Sequence, residues 1–252
     1  LAVQSITFIL IRIILANEYG FEGVGIFQCV YSLSAGYFGI FFVILGNYSI
    51  PKVSSLNELS EIRDELNNTI KFLLLLYVPL VLIMFTFRSL LIPLLYSHEF
   101  ITAKYLLIYQ LPAEILRAFS WVMGLWLIPK LKIRTWILFE LSFYILFFSL
   151  TVLFVSLTNT GIKSVSISYL ISYAIFFSLN LFYSIKNINF KFSGKNVKLI
   201  IGSVVSLFSL FIISEISEFW GYTIIIPILL SWSFYAIKKN DLYKLKEIFK
   251  LK

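Results

Sequence analysis

Apolar runs long enough to cross a bilayer recur along the whole chain, at about 1–16, 24–50, 70–87, 103–128, 134–157, 162–185, 197–214 and 219–237. A hydrocarbon core about 30 Å thick needs roughly 20 apolar residues wound as a helix. No water is available in that core, so each segment must satisfy its own backbone N–H and C=O groups, and an isolated apolar run can do so only as an α-helix. Composition agrees. Hydrophobic residues make up 60% of the 252 and charged residues 13%, an apolar surplus that a soluble domain of this size has no interior to hide. The expected fold is an all-α, polytopic transmembrane bundle of about eight spans. Six of them form a unit over 1–187, and two more, with a basic tail, follow over 188–252.

The first run, LAVQSITFILIRIILA, has neither a charged n-region nor a small-residue cleavage site. It reads as a transmembrane helix, not a signal peptide, and the chain as the C-terminal part of a longer protein. One cysteine, Cys29, and one histidine, His98, exclude an internal disulfide and any metal site built from several Cys or His. No cofactor is expected. The chain lacks G-x-x-x-x-G-K-[ST], G-x-S-x-G, H-E-x-x-H and C-x-x-C, so the phosphate-loop, serine-hydrolase, zinc-protease and dithiol chemistries have no foothold.

Charge sets the orientation. The connections after the second, fourth and sixth spans, with the tail, hold sixteen of the twenty-one basic residues, among them Lys52, Arg63, Lys130, Lys132, Arg134, Lys186, Lys191 and Lys195. The opposite connections carry Glu18, Glu22, Glu99, Glu215 and Glu218. The positive-inside rule places the basic side in the cytoplasm. The net charge of +8 therefore reports orientation and attraction to anionic lipid rather than a nucleic-acid partner.

Three connections have character of their own. Ser55 and Glu58 fit a capping box, followed by Leu56, Leu59, Ile62, Leu66 and Ile70 at helical spacing. With Glu58, Glu61, Arg63, Asp64, Glu65 and Asn67 on its other, solvated face, the pattern predicts an amphipathic helix lying in the membrane interface. The segment 88–102 is apolar but too short to span, Pro93 is expected to break or kink any helix there, and the segment reads as interfacial, with His98 and Glu99 at the headgroups. From Lys238 onward the lysine-rich tail, with Leu242, Leu245 and Ile248 on one side, predicts a short basic helix on the membrane surface.

Polar groups inside spans are few: Arg12, Gln28, Gln110, Glu114, Arg117 and Glu140. In YLLIYQLPAEILRAFSWVMGLWLI (105–128), Glu114 and Arg117 share one helical face at i,i+3. Arg117 lies roughly 18 Å along the helix from Tyr105, near the midplane. Ionisable groups at that depth face a bundle interior or a wet cavity. Arg12, Gln28, Gln110 and Arg117 are the candidate ligand-binding residues. Glu114 and Glu140 are the candidates for coupling or charge pairing.

Two runs resemble a known family. In EGVGIFQCVYSLSAGYFGIFFVILGNYSIPKVSSL (22–56), a glycine-containing outer turn (Gly23-Val24-Gly25) precedes a span with Gln28 near its start, which ends in Pro51-x-x-Ser54. In EFITAKYLLIYQLPAEILRAFSWVMGLWLIPKLKIRTWILFEL (99–141) the matching features are Phe100-x-x-Ala103, Gln110-Leu111, Arg117 and Phe139-Glu140. Together they are similar to the second lobe of Wzx-type polysaccharide flippases, in the multidrug/oligosaccharidyl-lipid/polysaccharide exporter superfamily. The likeness covers about 1–187. The spans at 197–237 depart from twelve-span members.

That resemblance implies two helical lobes around a cavity that alternates between membrane faces. It implies an undecaprenyl-pyrophosphate-linked oligosaccharide as substrate, an O-antigen or capsule repeat unit, carried across the bacterial cytoplasmic membrane. Membrane lipids, glycosyltransferases and a polysaccharide polymerase are the partners it implies. Arginine offers planar, multiple donors suited to a pyrophosphate, and an intramembrane acid is a candidate to exchange a proton during transport. Two other readings remain open: a drug/cation antiporter of the same superfamily, which should favour acids over arginines in its cavity, and a membrane glycan polymerase or ligase, which should carry a large extracytoplasmic loop.

Overall fold

The computed structural model describes residues 2–236. It is all-helical, with no strand among those residues. The elements are α1 (Ala2–Tyr31), a π-helical turn (Ser32–Gly36), α2 (Tyr37–Ser55), α3 (Leu59–Thr86), α4 (Arg88–Leu95), a 3₁₀ turn (His98–Phe100), α5 (Ala103–Gly124), α6 (Ile133–Leu157), α7 (Lys163–Ile188), α8 (Gly194–Ile216) and α9 (Glu218–Ala236). Five stretches are long and apolar enough to cross a membrane by themselves: Ala2–Ser55, α3, α6, α7 and Gly194–Ile213 of α8. The helix that carries Gln110, Glu114 and Arg117 is not among them. It runs through the middle of the bundle instead, against α1, α2, α3, α4 and α7.

The first two expected spans are joined without a loop. The helix reverses at Gly20, whose φ of 67° and ψ of −175° lie in a region essentially closed to residues with a Cβ. The two arms then run antiparallel. Phe8 meets Phe27 and Tyr31, with ring centroids 6.1 and 4.5 Å apart. Gln4 Nε2 donates to the Tyr31 hydroxyl at 3.4 Å. An added methyl at Gly20 would touch nothing within 4 Å, so Gly20→Ala isolates backbone strain. It should lower stability by about 1–3 kcal/mol in thermal unfolding of the detergent-solubilised protein.

The connection after α2 differs from its sequence reading. Ser55 ends α2, and its hydroxyl donates to the Lys52 carbonyl at 2.8 Å. The capping box lies three residues on, between Glu58 and Glu61. The amphipathic stretch is not a separate surface helix but the first turns of α3, with Ile62, Leu66 and Ile70 buried in the common core. Glu65, expected on a solvated face, is buried and meets Lys52 Nζ at 2.5 Å. Period alone could not separate an interfacial helix from the end of a spanning one, because both bury one stripe. Pro93 also sits inside α4 rather than breaking it. In so short a helix few i−4 carbonyl bonds exist to be lost. The fourth span ends at Gly124, earlier than expected, and turns follow it to a left-handed Leu131 (φ 57°).

The basic connections share one end of the bundle. Lys130 Nζ donates to the Leu56 carbonyl, and Lys132 Nζ donates to Asn187 Oδ1 at 3.2 Å. The α7–α8 connection is tied to α3 through Asn67, and α8 and α9 pack on α3 and on each other. At the other end, Phe100 closes on Gly25, where an added Cβ would lie 2.8 Å from its Cε1. Lys163 Nζ there lies 5.1 Å from the Tyr105 ring centroid. The expected tail helix lies outside the described residues.

Candidate functional site

Glu114 sits at the centre of the bundle with no exposed surface. Three donors from three helices converge on its carboxylate. Tyr169 of α7 donates to Oε1 at 2.9 Å. Tyr77 of α3 donates to Oε2 at 3.3 Å. Arg117, one turn along α5, donates from Nη1 to Oε2 at 2.9 Å. A buried carboxylate is tolerable only when paired and hydrogen-bonded in this way. The same Nη1 donates to the Ala35 carbonyl of the π-helical turn at 3.4 Å. The guanidinium carbon lies 4.8 Å from the Phe42 ring centroid.

Arg117 keeps 21% of its side-chain surface, because its far edge opens into a cavity of about 290 Å³ bounded by α1, α2, α5, α6 and α7. Glu140 lines the same cavity and makes no hydrogen bond or ion pair among the described residues. Arg117 and Glu114 neutralise each other, so Glu140 is the acid of the cavity without a bonded counter-charge among the described residues. Around these two stand aromatic walls: Trp121 and Trp136, with Tyr31, Tyr144 and Tyr173. Neutral polar groups come from Gln4, Ser120 and Asn180. A wall of this kind can hold a ring face by stacking and a hydroxyl by hydrogen bonding.

The other residues singled out in the sequence lie elsewhere. Arg12 and Gln28 face each other across the α1 hairpin, Nη2 to Oε1 at 2.5 Å, and Gln28 passes a further hydrogen bond to Ser32 at 3.1 Å. This pair is on the bundle's exterior, and neither residue lines the cavity. Gln110 is buried on α5, and neither amide atom has a hydrogen-bond partner among the described residues. It does not line the cavity either. The cavity's Gln4, Tyr31, Trp121, Trp136 and Asn180 did not stand out in the sequence. Aromatic residues are so frequent in this chain, at 18%, that only packing distinguishes a cavity wall from a lipid-facing ring. No group of three or more His, Cys, Asp or Glu residues that could hold a metal occurs among the described residues.

No protein-family model matches the chain, and no solved structure does. It is similar to the lipid III flippase of Escherichia coli strain K12 and to that of Shigella flexneri, each 29% identical over 176 residues, 69% of this chain. The match covers 41% of either relative, so the chain spans about two fifths of the length of the curated relatives it matches. With five stretches able to cross a membrane and bacterial flippases as relatives, it is a multi-pass protein of the bacterial inner membrane.

Proposed function

We propose that this chain forms one helical lobe of a flippase, a transporter rather than an enzyme, that moves a polyprenyl-pyrophosphate-linked oligosaccharide across the membrane by alternating access. The observation that carries this is the intramembrane cavity, which sets Arg117 and Glu140 among tryptophan and tyrosine rings. Sugars need polar partners and flat apolar faces together, and a bilayer core supplies neither. The similarity to two lipid III flippases favours a lipid-linked substrate. An O-antigen or capsule repeat unit is the finer assignment, with the glycosyltransferases that build it and the polymerase that extends it as partners.

In this reading the cavity-facing edge of Arg117 meets the pyrophosphate or an acidic sugar. Glu140, which has no hydrogen bond or ion pair among the described residues, exchanges a cation or proton as the cavity changes sides. Glu114 holds Arg117 in place. Arg12 and Gln28 form a second polar pair on the exterior of the lobe, outside this cavity, and would meet the glycan there. Gln110 is the member of the set furthest from this role, because its amide is enclosed. The drug/cation antiporter remains the rival, since an acid without a bonded counter-charge among the described residues lines the cavity.

Translocation of a fluorescent polyprenyl-pyrophosphate oligosaccharide by the full-length protein in vesicles tests the proposal. Glu140→Gln is nearly isosteric and should slow translocation at least about tenfold at unchanged membrane abundance, the scale of one lost charged contact. Translocation at the wild-type rate would remove the cavity from the mechanism. Export of an organic cation in place of the glycan would favour the antiporter.

A further inference from the structure

The π-helical turn between α1 and α2 has not entered the mechanism. A π turn holds one residue more than an α-helical turn and has poorer hydrogen-bond geometry, so it persists where something holds it. Here the Tyr37 N–H reaches back to the carbonyls of Ser32 and Ser34, and the Ser34 hydroxyl donates to the Val30 carbonyl at 2.8 Å. Packing does little on one face: a Cβ added at Gly36 or Gly39 would meet nothing within 4 Å. The opposite face is packed, with Leu33, Ser34 and Ala35 buried, and on that side Arg117 reaches the turn through the Ala35 carbonyl.

Arg117 is unequal in its attachments. Its bond to Glu114 is charge-assisted and 2.9 Å long. Its bond to Ala35 is to a neutral oxygen at 3.4 Å. Both bonds have the cationic donor, but only the Glu114 bond also has a charged acceptor and it is the shorter, so the Ala35 contact is the one a competing anion in the cavity displaces. We infer that Arg117 is a positioning residue that locks the π turn, and that an anionic group entering the cavity draws the guanidinium off Ala35 and frees the turn to rewind. Rewinding by one residue rotates α2 relative to α1 by about 100° locally, and α2 carries Phe42 and Ile50 of the cavity wall. Occupancy of the cavity thus changes the shape of its own wall. The inference rests on the cavity being the ligand site.

Hydrogen exchange with mass spectrometry on the full-length protein in lipid nanodiscs tests it. Because Arg117→Gln alone strands Glu114, the variant used is the neutral pair Glu114→Gln/Arg117→Gln. Exchange at residues 32–39 should rise about tenfold over wild type while α3, α6 and α7 keep their protection, the size expected for one lost hydrogen bond to a charged group. Inorganic pyrophosphate should raise exchange at 32–39 in the wild type and have no effect in the variant. Unchanged exchange at 32–39 in the variant, an equal rise throughout the bundle, or a wild type insensitive to pyrophosphate would each overturn the switch. Translocation is read separately. An exchange response without glycan transport leaves the switch standing and removes the flippase reading, and transport without the response does the reverse.

Discussion

Arg117→Ala destabilises the bundle by about 3–5 kcal/mol, the range for removing one partner of a buried ion pair. The loss comes less from the missing attraction than from what stays behind. Glu114 has no exposed surface, so its carboxylate would remain in the core with only two tyrosine hydroxyls to hold it. The double variant Glu114→Gln/Arg117→Met should lose much less, since the glutamine oxygen accepts from one tyrosine hydroxyl, its N–H donates to the other, and no charge is stranded. Thermal unfolding in detergent, with singles and double compared, gives the answer. If Arg117→Ala and the double variant unfold at the same temperature, the pair is not the buried unit described above. Arg117→Ala also cannot by itself prove a role in transport, since it disturbs stability and the cavity together. Glu140→Gln is the cleaner probe.

Asn67→Ala should cost about 1–3 kcal/mol and loosen α8 from α3. Asn67 holds the α7–α8 connection with both its side chain and its backbone. Its Nδ2 donates to the Lys191 carbonyl at 3.0 Å, and its Oδ1 accepts from the Ser193 backbone N–H at 2.8 Å. Asn196 Nδ2 donates to the Asn67 carbonyl at 2.8 Å and to Oδ1 at 3.1 Å. Ser193 is itself the N-cap of α8, accepting from the Asn196 N–H at 3.2 Å. Removing the amide frees the exposed Ser193 N–H and Lys191 carbonyl to water and takes one of two part-buried bonds from Asn196 Nδ2, a net loss of about 1–3 kcal/mol. Limited proteolysis of the variant should therefore cut between Ile188 and Gly194 faster than in wild type. Equal cutting and an unchanged unfolding temperature would show that α8 is held by its apolar face alone.

Much of this was legible in the residues. Continuous apolar runs identified the spans, because the bilayer imposes one length and one backbone solution. Lysine and arginine marked one end, and the contacts of Lys130, Lys132 and Asn67 bring those connections together there. Glu114 and Arg117 announced themselves by their rarity at that depth. Less visible were features whose meaning depends on a partner distant in sequence. Glu65 looked like a solvated acid until Lys52 and the packing of α2 on α3 enclosed it. Arg12 and Arg117 looked alike in sequence, yet one pairs on the exterior with Gln28 and the other faces the cavity.

Helical segments, their approximate bounds and the unusual polar residues all follow from local rules, because in a membrane each helix satisfies its own backbone and each charge declares its cost. Which face of α5 looks inward does not follow from those rules. Nor does the closing of Tyr77, Tyr169 and Arg117 on one carboxylate, or the gathering of Glu140, Trp121 and Trp136 around one space. Those are set by how five helices pack, since contacts between helices depend on partners tens of residues apart. The π turn belongs with them: its carbonyl is held from α5, 82 residues away in the chain, and no periodicity within 32–36 records that.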